Sequence, residues 1–384
     1  MKKIITTIAT AILGIHMLIS NIPVFSAVSA ESLVDSLTAK SVVVADAGSG
    51  EILISKEETK KLPIASMVKL MTILLTMESV DDGTLSLDQK ICVSKNAAGM
   101  GGSQVFLDAG SEYTVEQLLK SAIIASANDA SVALAETIAG NEQSFVEKMN
   151  ACANELSMTM THYSNATGLP AVDGYSCAKD VAILLRQVLS HDLYFKYSTI
   201  WMEDLVHPSG RITGLTNTNK LIRYYAGCDA GKTGSTKEAG YCIASSAKKN
   251  DLRIISVVIG AESGAKRFSE SASLLDWAFA NYENKTIFEK GQKLDPVKIS
   301  KAKVKQITPI VSERYSCVTK RGEQSEITTK IEINQNISAP LKAGDEVGTA
   351  YVMKDGVVVK EIKITIDQDV KKTTIFDAIK QIIA

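Results

Sequence analysis

From Ser66 to about Val80 the chain reads as one helix with almost no polar face: Leu70, Met71, Ile73, Leu74, Leu75 and Met77 crowd around a single cation, Lys69. A helix that is apolar on all sides has to be wrapped by other elements. The chain must therefore build a domain large enough to enclose it. With 384 residues, 45% apolar and 22% charged, it can do so and carry a second domain besides. The formal net charge of −1 leaves no basic surplus for nucleic acid.

A lysine placed in such a helix can be read in two ways. Its stem can snorkel out of the core, with Ser66 a plain helix cap. Alternatively, burial strips its proton, a second cation strips it further, and the neutral amine becomes a general base for the Ser66 hydroxyl one turn away. The pattern Ser-x-x-Lys alone decides nothing, since it starts at Ser66, Ser176, Ser245, Ser246, Ser263 and Ser300. Only the first opens a buried helix after a proline-containing loop, Leu62-Pro63-Ile64-Ala65.

Two later motifs add matching chemistry. Ser126-Ala127-Asn128 interrupts a helical region from Val115 to Ala139. Ser126 could relay a proton to a leaving amine, and Asn128 could hold Lys69 or a substrate carbonyl; simple capping by Ser126, Asn128 and Asp129 is the other reading. Lys232-Thr233-Gly234 occurs once and precedes two strand-like runs, so it is expected to start an edge strand lining a cleft. There Gly234 lets a substrate backbone approach, Thr233 hydrogen-bonds it and Lys232 attracts an anion, unless the three merely form a surface turn.

Around these motifs the pattern is α+β. Ser41 to Ile54 reads as a hairpin around a Gly/Ser turn, Phe145–Leu156, Ala178–Leu189 and Ser269–Tyr282 as helices, and Gly240–Ala247 and Leu252–Gly260 as strands. Beyond about Asn284, alternating Val, Ile, Thr and Lys with recurrent turns indicate an all-β segment, a small sandwich. Lys2 and Lys3 before an apolar run, with Val28-Ser29-Ala30 behind it, read as an export signal cleaved after Ala30. The expected organisation is a signal peptide (1–30), a catalytic domain (31–284), a β-sandwich (285–370) and an amphipathic terminal helix (371–384). Six scattered cysteines lack any framework spacing and are expected to be mostly buried free thiols. The histidines show no ligand spacing, so neither a metal nor another cofactor is expected.

Taken together, the order and spacing of the three motifs resemble those of the penicillin-binding serine DD-peptidases, in particular their low-molecular-mass D-alanyl-D-alanine carboxypeptidase branch. Further stretches agree: Leu62 to Thr72, Ala125 to Ala130, Thr161 to Pro170 and Asn217 to Leu221. The resemblance runs from about Ser41 to the C-terminus. It implies a large β-lactamase/transpeptidase-like domain, with helices packed around an antiparallel sheet, followed by a small all-β domain and a terminal helix. It further implies that Ser66 attacks the bond between two D-alanines ending a peptidoglycan stem peptide, that Lys69 takes its proton, and that Ser126 and Lys232 pass one to the leaving group. The backbone N–H groups of Ser66 and Ser235 would form the oxyanion hole, and Arg267 would help bind the terminal carboxylate. Some members carry histidine where this chain has Ser235, which alters only the side-chain contribution there. β-Lactams become covalent inhibitors, and the terminal helix a membrane-surface anchor on the outer face of the bacterial cytoplasmic membrane, at the cell wall. The competing readings are a class A-type β-lactamase, which needs a carboxylate base not identifiable here, and a silent binding protein, which the intact Ser66, Lys69 and Lys232 oppose.

Overall fold

The computed structural model describes residues 29–323 and 326–374. The expected signal segment therefore lies almost wholly outside the described residues, as does nearly all of the expected terminal helix. Before Leu37 the described chain forms one helix, Ala30–Ser36.

The core of the remainder is an antiparallel sheet of five strands: β1 (Ser41–Asp46), β2 (Ile52–Lys56), β3 (Cys228–Thr236), β4 (Gly240–Lys249) and β5 (Leu252–Ala261). Their order is β2-β1-β5-β4-β3. The hairpin β1–β2 turns where the Asp46 carboxylate accepts the Ser49 N–H at 2.7 Å. Nearly every residue of β5 is buried, which requires cover on both faces. Successive side chains point to opposite faces. Ile255 and Val257 join the main helical core, while Ser256 on the other face meets Ser271 of helix α6 (Gly264–Asn281).

The main core is built on α1 (Lys69–Asp81), with α2 (Val115–Ile124), α3 (Asn128–Ala139), α4 (Glu142–Glu155) and α5 (Ala178–Val188) around it. In α1, Leu70, Met71, Ile73, Leu74 and Met77 are fully buried, as an all-apolar helix requires. Two expectations need correction. The α-helix begins at Lys69 rather than Ser66, which lies in a preceding 3₁₀ turn, Ala65–Val68. The Lys-Thr-Gly triplet falls within β3, not at its start. A hairpin absent from the sequence reading, Met202–Val206 with Ile212–Thr216, also joins the domain.

Helix α6 runs directly into β6 (Tyr282–Phe288), the first strand of an all-β part. There β6 pairs with β7 (Tyr315–Lys320), and β8 (Ile327–Ile333), β9 (Glu346–Lys354) and β10 (Val357–Thr365) form a sheet with Ile310–Val311. Phe288, Val311, Val352, Ile362 and Ile364 fill its separate core.

Candidate active site

Ser66 sits in a turn that the sequence alone does not favour. Ala65 before it has φ +48°, a left-handed value unusual for a residue with a side chain. Two glycines explain how the turn is held. A Cβ at Gly168 would lie 2.0 Å from the Ala65 carbonyl oxygen, and one at Gly234 would lie 2.7 Å from the Ile64 oxygen and 2.8 Å from the Ser66 nitrogen. The Ser66 backbone is thus clamped between β3 and the loop 161–170 at distances only glycine permits.

Lys69, completely buried, places Nζ 2.9 Å from Ser66 Oγ and donates to the Thr167 carbonyl at 2.7 Å. It does not snorkel, and Ser66 makes no side-chain cap. Burial, and next the charge of Lys232, hold the Lys69 amine well below the usual lysine value, although Asp129 pulls the other way. Lys232 is equally buried and donates to Ser126 Oγ at 2.7 Å. Its pKa is lowered to about 7, mainly by burial and then by the charge of Arg267.

Ser126 occupies the break between α2 and α3 with φ +61°, and its side chain does not cap α3. Asn128 donates through Nδ2 to the Gly101 carbonyl at 2.6 Å and not to Lys69, while its Oδ1 is buried without a partner. A polar atom left so is ready for a donor from outside the chain. Thr233 is buried beside Lys232, and Ser235, exposed, pairs with Tyr241 on β4. Strand β3 is at the sheet's edge, its outer side unpaired by any described strand. Arg267, in the first turn of α6, donates to the Gly234 carbonyl at 3.1 Å and is half-buried, with Nε unpartnered.

The structure therefore joins four of the expected residues in two hydrogen-bonded pairs, Ser66–Lys69 and Ser126–Lys232. It also adds residues whose roles the motifs did not reveal. Thr167 acts through its carbonyl. Asn165 Oδ1 accepts from the Thr167 and Gly168 N–H groups at 3.1 and 2.6 Å and fixes that carbonyl's position. The Asn-x-x-Gly spacing, a turn signal, was the available clue. All six cysteines are free thiols, five of them buried and Cys92 exposed.

Comparison with known proteins supplies the family. The family described as D-alanyl-D-alanine carboxypeptidase matches residues 26–263, and the domain described as penicillin-binding protein 5, C-terminal domain, matches residues 282–372. The D-alanyl-D-alanine carboxypeptidase DacF of Bacillus subtilis is 41% identical over 344 residues, spanning 89% of this chain and 88% of that one. The chain belongs to the D-alanyl-D-alanine carboxypeptidase family. Among solved structures, the family fold recurs in penicillin binding protein 5 of Haemophilus influenzae, 28% identical with TM-score 0.70 over 88% of this chain and 98% of that one. Penicillin-binding protein D2 of Listeria monocytogenes, solved in an ampicillin-bound form, is 30% identical with TM-score 0.57 over 64% of this chain and 98% of that one.

Proposed function

We propose that this member is an exported serine carboxypeptidase that removes the terminal D-alanine from peptidoglycan stem peptides through an ester on Ser66. The observation that carries the reading is the Ser66–Lys69 pair, a hydroxyl 2.9 Å from an amine whose burial favours the neutral form. Ser66 Oγ attacks the carbonyl carbon between the two D-alanines as its proton passes to Lys69 Nζ. The developing oxyanion is met by the backbone N–H groups of Ser66 and Ser235, preorganised by the glycine clamp. The C–N bond then breaks, and Ser126, coupled to Lys232, delivers a proton to the leaving nitrogen. Water attacks the ester and regenerates Ser66. Lys232, Thr233 and Arg267 draw the substrate's terminal carboxylate, and Asn128 Oδ1 accepts from its backbone. A penicillin acylates the same hydroxyl.

Export is supported by the basic and apolar pattern of residues 2–19, and attachment to the membrane surface by the helical spacing of Ile375, Phe376, Ile379, Ile382 and Ile383 in the sequence. Incubation with labelled penicillin and, separately, with diacetyl-Lys-D-Ala-D-Ala tests the chemistry. Label on Ser66 together with released D-alanine is expected. Lys69→Ala is expected to slow acylation at least a hundredfold while the fold persists. Fast penicillin hydrolysis instead supports the lactamase reading, and acylation of Lys69→Ala near the wild-type rate removes the general-base role.

A further inference from the structure

A crevice of about 320 Å³ opens beside the nucleophile turn. Ala65, which precedes Ser66, and Gly168, which packs against that turn, line it. Thr236, the last residue of β3, closes one side. Ile64, Val68, Leu169 and Pro170 give it an apolar stretch of wall, and His162, Ser164 and Asn165 a polar one. Charge enters through two exposed residues, Lys61 and Glu238. Lys61 Nζ rests 4.4 Å from the centre of the Tyr175 ring and 3.3 Å from its hydroxyl. Glu238 makes no ion pair with any described residue.

The polarity of β3 states which part of a substrate reaches this crevice. The cations that would draw a terminal carboxylate, Lys232 and Arg267, act at Lys232 to Gly234, and the strand then runs on to Thr236. A peptide held on the edge of β3 with its carboxylate at those cations must extend its acyl side towards Thr236 and Glu238. Next to the acylated D-alanine on that side stands the diamino acid of the stem peptide, a long methylene chain ending in an ammonium group. A slot with an apolar stretch of wall and a carboxylate at its mouth complements that shape and charge, and its volume is at the lower end for small-ligand pockets.

We propose that this crevice is the subsite for the diamino-acid side chain of the stem peptide, its methylenes lying against Ile64, Leu169 and Pro170 and its ammonium pairing with Glu238. The assignment rests on the carboxypeptidase reading above. Where the side chain also carries a carboxylate, Lys61 can exchange the Tyr175 ring for it.

Two peptides that differ only at the tip test the subsite: Nα-acetyl-Lys-D-Ala-D-Ala, with a free ε-amine, and diacetyl-Lys-D-Ala-D-Ala, with that amine blocked. The wild-type enzyme is expected to show kcat/KM about three- to fivefold higher on the free amine, the range of a partly exposed ion pair. Glu238→Gln is expected to bring the ratio to about 1, and Glu238→Lys to invert it. Each ratio is measured within one protein, so a general loss of activity cancels. Equal rates on both peptides in the wild type, or an unchanged ratio in Glu238→Gln, overturn the subsite alone. Release of D-alanine from neither peptide overturns the carboxypeptidase reading and the subsite with it.

Discussion

Lys232 is held near neutrality by two causes of unequal kind. Burial cannot be removed without dismantling the site, but the charge of Arg267 can. In the proposed mechanism a protonated Lys232 attracts the substrate carboxylate, so kcat/KM should fall as pH rises through about 7 and that proton is lost. In that mechanism Lys69 must be neutral to take the Ser66 proton, and burial favours that form. Arg267→Gln removes a cation that depresses the Lys232 value, so the descending limb is expected to move to higher pH. The same variant loses a charged contact to the substrate and should lower kcat/KM about tenfold or more. A pH profile of D-alanine release checks both effects. A descending limb that stays in place, or moves down, would show that Lys232 does not set it.

At the scale of elements, the site depends on a loop with little structure of its own. Asp129, fully buried in the first turn of α3, accepts the Val105 N–H at 3.1 Å and the Leu107 N–H at 3.1 Å, while the neighbouring Asn128 N–H donates to the Ser103 carbonyl at 2.7 Å. From outside, the Met202–Thr216 hairpin holds the same loop through Thr213 and Arg211, which donate to the Val105 and Phe106 carbonyls. Asp129→Asn keeps one acceptor but loses the charge and turns an amide towards buried donors. It should destabilise the fold by about 2–3 kcal/mol in urea denaturation, and a change below about 0.5 kcal/mol would count against Asp129 as the anchor. Legibility follows the same division. The all-apolar pattern of residues 70–77 announced α1, and the break at Ser126 was visible because Ser, Asn and Asp cluster there. The hairpin was not visible, since only Leu205 and Leu215 turn inward and leave no alternation to read. The left-handed Ala65 and the Thr167 carbonyl were hidden for a different reason. Tertiary contacts impose the first, and any residue type can supply the second.

Across the whole molecule, the change to alternating Val, Ile, Thr and Lys after Asn284 marked the β part, yet its junction with the catalytic part left no sequence signal. That junction includes the ion pairs Lys354–Glu51 at 2.7 Å, with Lys354 largely buried, and Arg314–Asp251 at 3.0 Å, whose exposed partners contribute little. Stability is instead tied to pH by the two buried lysines. An unfolded Lys232 titrates near the ordinary lysine value, about 10.4, and the folded one at about 7. Between those values the unfolded chain holds a proton that the folded chain lacks, so stability rises with pH by up to about 1.4 kcal/mol per unit. Below about 7 both states hold it and the slope from this group disappears. Lys69 is lowered too and acts in the same direction. Lys232→Met keeps an unbranched side chain of similar length and removes the titration. It also relieves Lys69 of a neighbouring charge, which flattens the remaining dependence further. Urea denaturation at pH 7.5 and 9.5 should then show the wild type gaining roughly 2 kcal/mol more than the variant over that interval. Equal gains would mean that Lys232 is as readily protonated in the fold as in the open chain, and the assignment of a neutral-pH proton relay to it would fall.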